Sequence, residues 1–105
     1  MPNKPATRAW DAANYLHSEA DMLAYLEAAL AEGDAALVAA ALGDIARAKG
    51  MSQLSRDTGL GRESLYKSLS ENGNPRLGTV LSVLDALDLR LHVANQRERG
   101  ESLKR

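Results

Sequence analysis

Met51-Ser52-Gln53-Leu54-Ser55-Arg56-Asp57-Thr58-Gly59-Leu60-Gly61-Arg62-Glu63-Ser64-Leu65-Tyr66-Lys67-Ser68-Leu69 is the stretch on which the fold turns. It reads as two short helices joined by a tight turn. Ser55 offers a small side chain where two helices must approach closely. Gly59, four positions on, supplies the positive φ that the turn needs. Leu60 and Leu65 point back toward a core, leaving Gly61 to Ser64 and Tyr66-Lys67 facing outward. That is the layout of a helix-turn-helix, whose second helix offers its polar face to the major groove of DNA.

The chain on either side reads as further helix. Upstream, Ser52 is the expected N-cap of the first short helix, and Gly50 ends an earlier helix that Asp34 caps and that runs through Leu37, Val38, Leu42 and Ile45. Before it, Ser18 with Asp21 forms a cap with an acidic first turn, and Met22, Leu23, Leu26 and Leu30 repeat at helical spacing as far as Glu32-Gly33. Trp10, Ala13 and Tyr15-Leu16 suit a short helical turn packed on the body. Downstream, Asn72-Gly73-Asn74-Pro75 is a break, with Asn74 expected to cap the next helix and Pro75 to sit in its first turn. Leu77, Val80, Leu81, Leu84 and Leu87 then give that helix an apolar face. Finally the period changes: Leu89-Arg90-Leu91-His92-Val93 alternates apolar and polar residues, as a strand does. A lone strand must find a partner for its backbone. The expectation is therefore that Leu89, Leu91 and Val93 pair with the same strand of a second copy, the alternative being an extended tail laid on the chain's own helices.

The expected fold is all-α, a bundle of five to six helices with one short C-terminal strand. Residues 1–9 read as an arm, 10–94 as a single domain with the helix-turn-helix at 52–70, and 95–105 as a charged tail. A chain of 105 residues buries a core without staples, and the absence of cysteine fits a reducing cytoplasm. No apolar run approaches the roughly 20 residues that span a bilayer, and the polar start Met1-Pro2-Asn3-Lys4-Pro5 does not read as a signal peptide.

Net charge is −1, an unpromising total for a nucleic-acid binder, but it is unevenly spread. Residues 1–43 set Lys4 and Arg8 against Asp11, Glu19, Asp21, Glu27, Glu32 and Asp34, a balance of −4. Residues 44–76 set Arg47, Lys49, Arg56, Arg62, Lys67 and Arg76 against Asp44, Asp57, Glu63 and Glu71, a balance of +2. A modest positive patch suits a reader that gains affinity by dimerising; an ordinary mixed surface is the alternative.

Arg62, in the first turn of the second short helix, suits a bidentate contact to guanine, worth about 1–3 kcal/mol of discrimination. Glu63 suits cytosine or steers Arg62. Ser64 reaches a phosphate or a base edge, Lys67 a phosphate, and Tyr66 a thymine methyl or the core. Ser52 and Gln53 are placed to hold a phosphate at the start of the preceding helix, and Asn74 and Arg76 to clamp the backbone from the other side. A solvated side chain is the alternative for each. Nothing supports catalysis, a metal or a cofactor. His17 and His92 have no metal-ligand neighbours at helical spacing, no carboxylate pair is set in an apolar frame, and the glycines form no phosphate loop.

The run from Ala41 to Leu54, with Gly43-Asp44-Ile45-Ala46-Arg47 and Gly50-Met51-Ser52-Gln53, followed by Thr58-Gly59-Leu60-Gly61-Arg62-Glu63-Ser64-Leu65-Tyr66-Lys67, resembles the addiction-module antidote proteins. These are HigA-like antitoxins with an Xre-type helix-turn-helix of the lambda-repressor-like kind. Asn72-Gly73-Asn74-Pro75, Leu84 to Leu91, Asp11 to Leu16 and Tyr25-Leu26 fit the same pattern, so the resemblance spans residues 10–92. It implies an antitoxin that binds a small basic toxin of the RelE/ParE type and, as a homodimer on a palindromic operator, represses their shared operon. The alternative is a stand-alone transcription regulator without a toxin. Two positions depart from the usual pattern: Gly61 stands where Ser or Thr more often caps the second helix, at a cost of a few tenths of a kcal/mol, and Ser68 stands where a bulky apolar residue is usual, with Leu69 one step on. The acidic residues Glu19, Asp21 and Glu27 are the expected toxin-facing group, since a protein that holds phosphates is itself basic.

Overall fold

In the computed structural model, which describes residues 12–96, a 3-10 turn (Ala12–Tyr15) is followed by five α-helices. We number them α1 (Glu19–Glu32), α2 (Ala35–Lys49), α3 (Met51–Thr58), α4 (Arg62–Ser68) and α5 (Leu77–Ala86). The expected arm lies outside the described residues, as do Trp10 and most of the tail. No described helix is long and apolar enough to cross a membrane.

The two long helices start where side chains satisfy their free amides. Ser18 Oγ accepts from the Asp21 N–H at 3.1 Å, and the Asp21 carboxylate accepts from the Ser18 N–H at 3.2 Å. That is a full capping box. Asp34 caps α2 by accepting from the Ala36 N–H at 2.9 Å. The Tyr25 hydroxyl of α1 donates to the Asp44 carboxylate of α2 at 2.5 Å and ties the two helices together, while Arg47, one turn on in α2, donates to the same carboxylate at 2.8 Å. The hub is α2, which buries Ala39, Ala41, Leu42, Gly43, Ile45 and Ala46 and packs against the 3-10 turn, α1, α3 and α4. The largest fully buried side chains are Leu42 and Ile45 of α2, Leu65 of α4 and Val83 of α5.

Three expectations about helix ends are corrected. Ser52 is not the cap of α3. That helix begins at Met51, with Gly50 (φ 115°, ψ 111°) serving both as the end of α2 and as the start of α3. The reason is burial: Met51 has to enter the core, so the helix starts two residues early and its start falls on a conformation that favours glycine. Asn74 and Pro75 likewise stay outside α5, whose N-cap is Arg76. There the backbone folds back under the end of α4 so tightly that a Cβ on Gly73 would collide with the carbonyl oxygens of Lys67 and Ser68. On α5, Leu77 and Leu81 are exposed, and Val83 takes the core position in their place.

Among the described residues there is no strand. After α5, Asp88 takes a left-handed φ of 63°, the Asp88 N–H donates to Asp85 O and the Leu89 N–H donates to Leu84 O at 2.8 Å. This is the helix stop in which a left-handed residue returns two N–H groups to the last turn, with aspartate in the place glycine usually holds. Leu89, half-buried against the core, belongs to that stop, whereas Leu91 and Val93 are exposed.

Candidate functional site

The turn between α3 and α4 is built from hydroxyls. Thr58 Oγ1 donates to Leu54 O at 2.8 Å and accepts from the Leu60 N–H at 3.1 Å. Ser55 Oγ donates to Leu60 O at 2.5 Å, and the Gly59 N–H, at a left-handed φ of 77°, donates to Ser55 O. Ser55, read from sequence as a spacer, is thus also a clamp. The signal was available in Ser55 and Thr58 flanking Gly59, because hydroxyls next to a turn bond its backbone.

Helix α4 has one buried residue, Leu65 at 0% exposure, with Leu69 buried just beyond its end. Leu69 therefore does take the place left by Ser68, whose hydroxyl instead donates to Ser64 O at 2.9 Å. Around Leu65 every other expected contact residue of the helix is exposed: Arg62, Glu63 and Ser64 in the first turn, Tyr66 and Lys67 in the second. Ser52 and Gln53 are exposed on α3. Gln53 donates to Asp57 and accepts from Arg56, both at 2.8 Å, so the Gln53 amide is held in a surface chain of hydrogen bonds. Arg56 itself was not among the expected contact residues. Its spacing from Gln53 along α3 is the clue that could have placed it there. Asn74 and Arg76 are exposed between α4 and α5.

Gly43 was not singled out for a packing role either. It sits in the buried face of α2 where a Cβ would run into the carbonyl oxygen of Leu69. The missing Cβ lets the end of α4 lie directly on α2. An isolated glycine in an alanine-rich helix is a signal for such an approach, since it forgoes about 1 kcal/mol of helix propensity.

The acidic group lies elsewhere. Glu19, Asp21 and Glu27 are exposed on α1, and the Asp21 carboxylate is engaged in the capping box. The chain segment expected to join two copies is divided in the way described above, with Leu89 engaged and Leu91 and Val93 free of the core. His17 and His92 are both exposed.

Comparison with known proteins adds a family to this geometry. An uncharacterised protein of Haemophilus influenzae is 48% identical over 88 residues, covering 84% of this chain and 91% of that protein. No solved structure matches. The model of a family described as "probable addiction module antidote protein" matches residues 6–95, nearly the whole of the described chain. On that match, the chain belongs to the probable addiction module antidote protein family.

Proposed function

We propose that this protein is the DNA-binding antitoxin of a two-gene toxin–antitoxin module, acting in the bacterial cytoplasm at the nucleoid. In this reading it neutralises a small basic RelE/ParE-like toxin and, as a homodimer on a palindromic operator, represses its own operon. The observation that carries the DNA half is the outer face of α4: five polar or amphipathic side chains stand exposed around a single buried leucine. Helices α3 and α4 are then a helix-turn-helix, with α4 entering the major groove and Ser52, Gln53, Asn74 and Arg76 on the phosphates. Leu91 and Val93 are the residues offered to a second copy. Glu19 and Glu27 face the toxin, and Asp21 adds its charge while holding the start of α1.

The test is a gel shift on the chain's own promoter across a salt series. Arg62→Ala should relax preference at one base position by about 1–3 kcal/mol. Lys67→Ala should weaken all sequences alike and reduce the salt slope by about one unit. Equal loss on operator and random DNA for Arg62→Ala would remove that residue from base reading. No shift on any duplex would end the DNA half of the proposal.

A further inference from the structure

An open cleft of about 320 Å³ lies where the end of α1 meets the start of α2 and the beginning of α5. Leu30, Val38, Leu42, Pro75 and Val80 give it apolar walls, and Asp34 stands in its wall. Leu30 also belongs to an outward stripe. Leu23, Glu27 and Leu30 recur at the i, i+4, i+7 spacing of one helix face, and all three are exposed. Leucines left at 47% and 42% exposure beside an apolar cleft are the features of a contact surface.

The charged side chains of the surface itself, Glu27 and Asp34, are both acidic and exposed, with Arg76 following the wall residue Pro75. From Glu19 to Asp34 the chain contains no lysine or arginine, while it carries Glu19, Asp21, Glu27, Glu32 and Asp34, all exposed. A second copy meeting this face about a two-fold axis would set these carboxylates against themselves. DNA phosphates would be repelled as well. The chemistry that fits is cationic with an apolar anchor.

We propose that the cleft and the Leu23–Glu27–Leu30 stripe form a docking surface for a cationic segment of a protein partner. One apolar side chain of the partner seats among Leu30, Val38 and Val80, and its lysines or arginines meet Glu27 and Asp34. The identification of that partner as the toxin rests on the antidote reading; the surface itself rests on the cleft and its charge. It extends the acidic group of α1 by an apolar anchor point, which supplies the burial that exposed ion pairs alone lack.

The experiment titrates isotope-labelled full-length chain with a helical peptide of leucine and lysine, following amide shifts and affinity. A counterpart with the leucines replaced by serine is the control. Shifts should gather at Leu30, Val38 and Val80. Leu30→Lys, and separately the serine peptide, should weaken binding about tenfold. Glu27→Gln, on an exposed site that does not bear on folding, should weaken it severalfold and flatten its salt dependence. Unchanged affinity for Leu30→Lys and Glu27→Gln would overturn the proposal, as would shifts gathered on Leu77 and Leu81 of α5. Two further results would overturn it by naming another occupant. A change in Trp10 fluorescence on Leu30→Lys, with peptide affinity unmoved, would give the cleft to the chain's own first residues. A change in sedimentation would give it to a second copy. The same variants are then tried against the product of an adjoining small basic gene. Full neutralisation by Leu30→Lys would sink this inference and leave the antidote reading standing. A neighbour that never binds the parent chain would sink that reading and leave the peptide map to judge the cleft.

Discussion

The helix pair α1–α2 and the helix pair α3–α4 are made in opposite ways. The first pair has 14 and 15 residues, is rich in alanine, and starts each helix with a side-chain cap. The second has 8 and 7 residues, and neither helix has a side-chain cap at its start. Helices so short are marginal by themselves. The second pair holds because Leu54 and Leu65 are buried, because Ser55 and Thr58 close the turn, and because Gly43 lets the end of α4 lie on α2. The first pair is thus encoded locally and the second by its surroundings. The difference also separates the surfaces: the self-sufficient pair is acidic and apolar outside, whereas the dependent pair presents the polar face read here as the DNA contact.

Substitutions can break this contrast or refine it. Leu65→Ala should have the largest effect, about 2–5 kcal/mol in urea unfolding, because it empties the one core position inside α4. Native-state hydrogen exchange should show α4 losing protection first, with α1 and α2 last. Uniform loss would mean that the two pairs are not separate in the way described. Gly43→Ala comes next, at about 1–3 kcal/mol, since the added methyl group must displace the Leu69 backbone. Its diagnostic is direction: alanine is the better helix former, so stabilisation would show that the approach of α4 to α2 is loose. Ser18→Ala should cost least, about 1 kcal/mol, by removing one cap from a helix that packing also holds. A cost above that of Leu65→Ala would invert the comparison. The acidic face of α1 is best probed by such point changes. Met22, Leu26 and Ala29 lie in the core, so removing the helix would open it.

Much of this was legible in advance. Ser18 with Asp21, Asp34, and Gly50 at the end of α2 were read correctly because a cap is decided by a few adjacent residues. Leu65 was read as buried and its neighbours as exposed because a helix repeats every 3.6 residues whatever it packs against. The errors fell where distant parts of the chain decide. Ser52 lost its cap role to the burial of Met51, and Asn74 and Pro75 lost theirs to a loop tucked under α4. Val83, in place of Leu77 and Leu81, was chosen by the direction from which α5 meets the core.

The sequence by itself determined that the chain is helical, where the long helices begin, and which side of α4 carries the polar residues, because caps and periodicity act over one or two turns. Only the tertiary structure decided that Gly43 is a contact point for the end of α4 and that Leu30, Val38 and Val80 share a cleft. Those facts depend on segments far apart in the chain meeting at one place, and no local pattern records where such meetings occur.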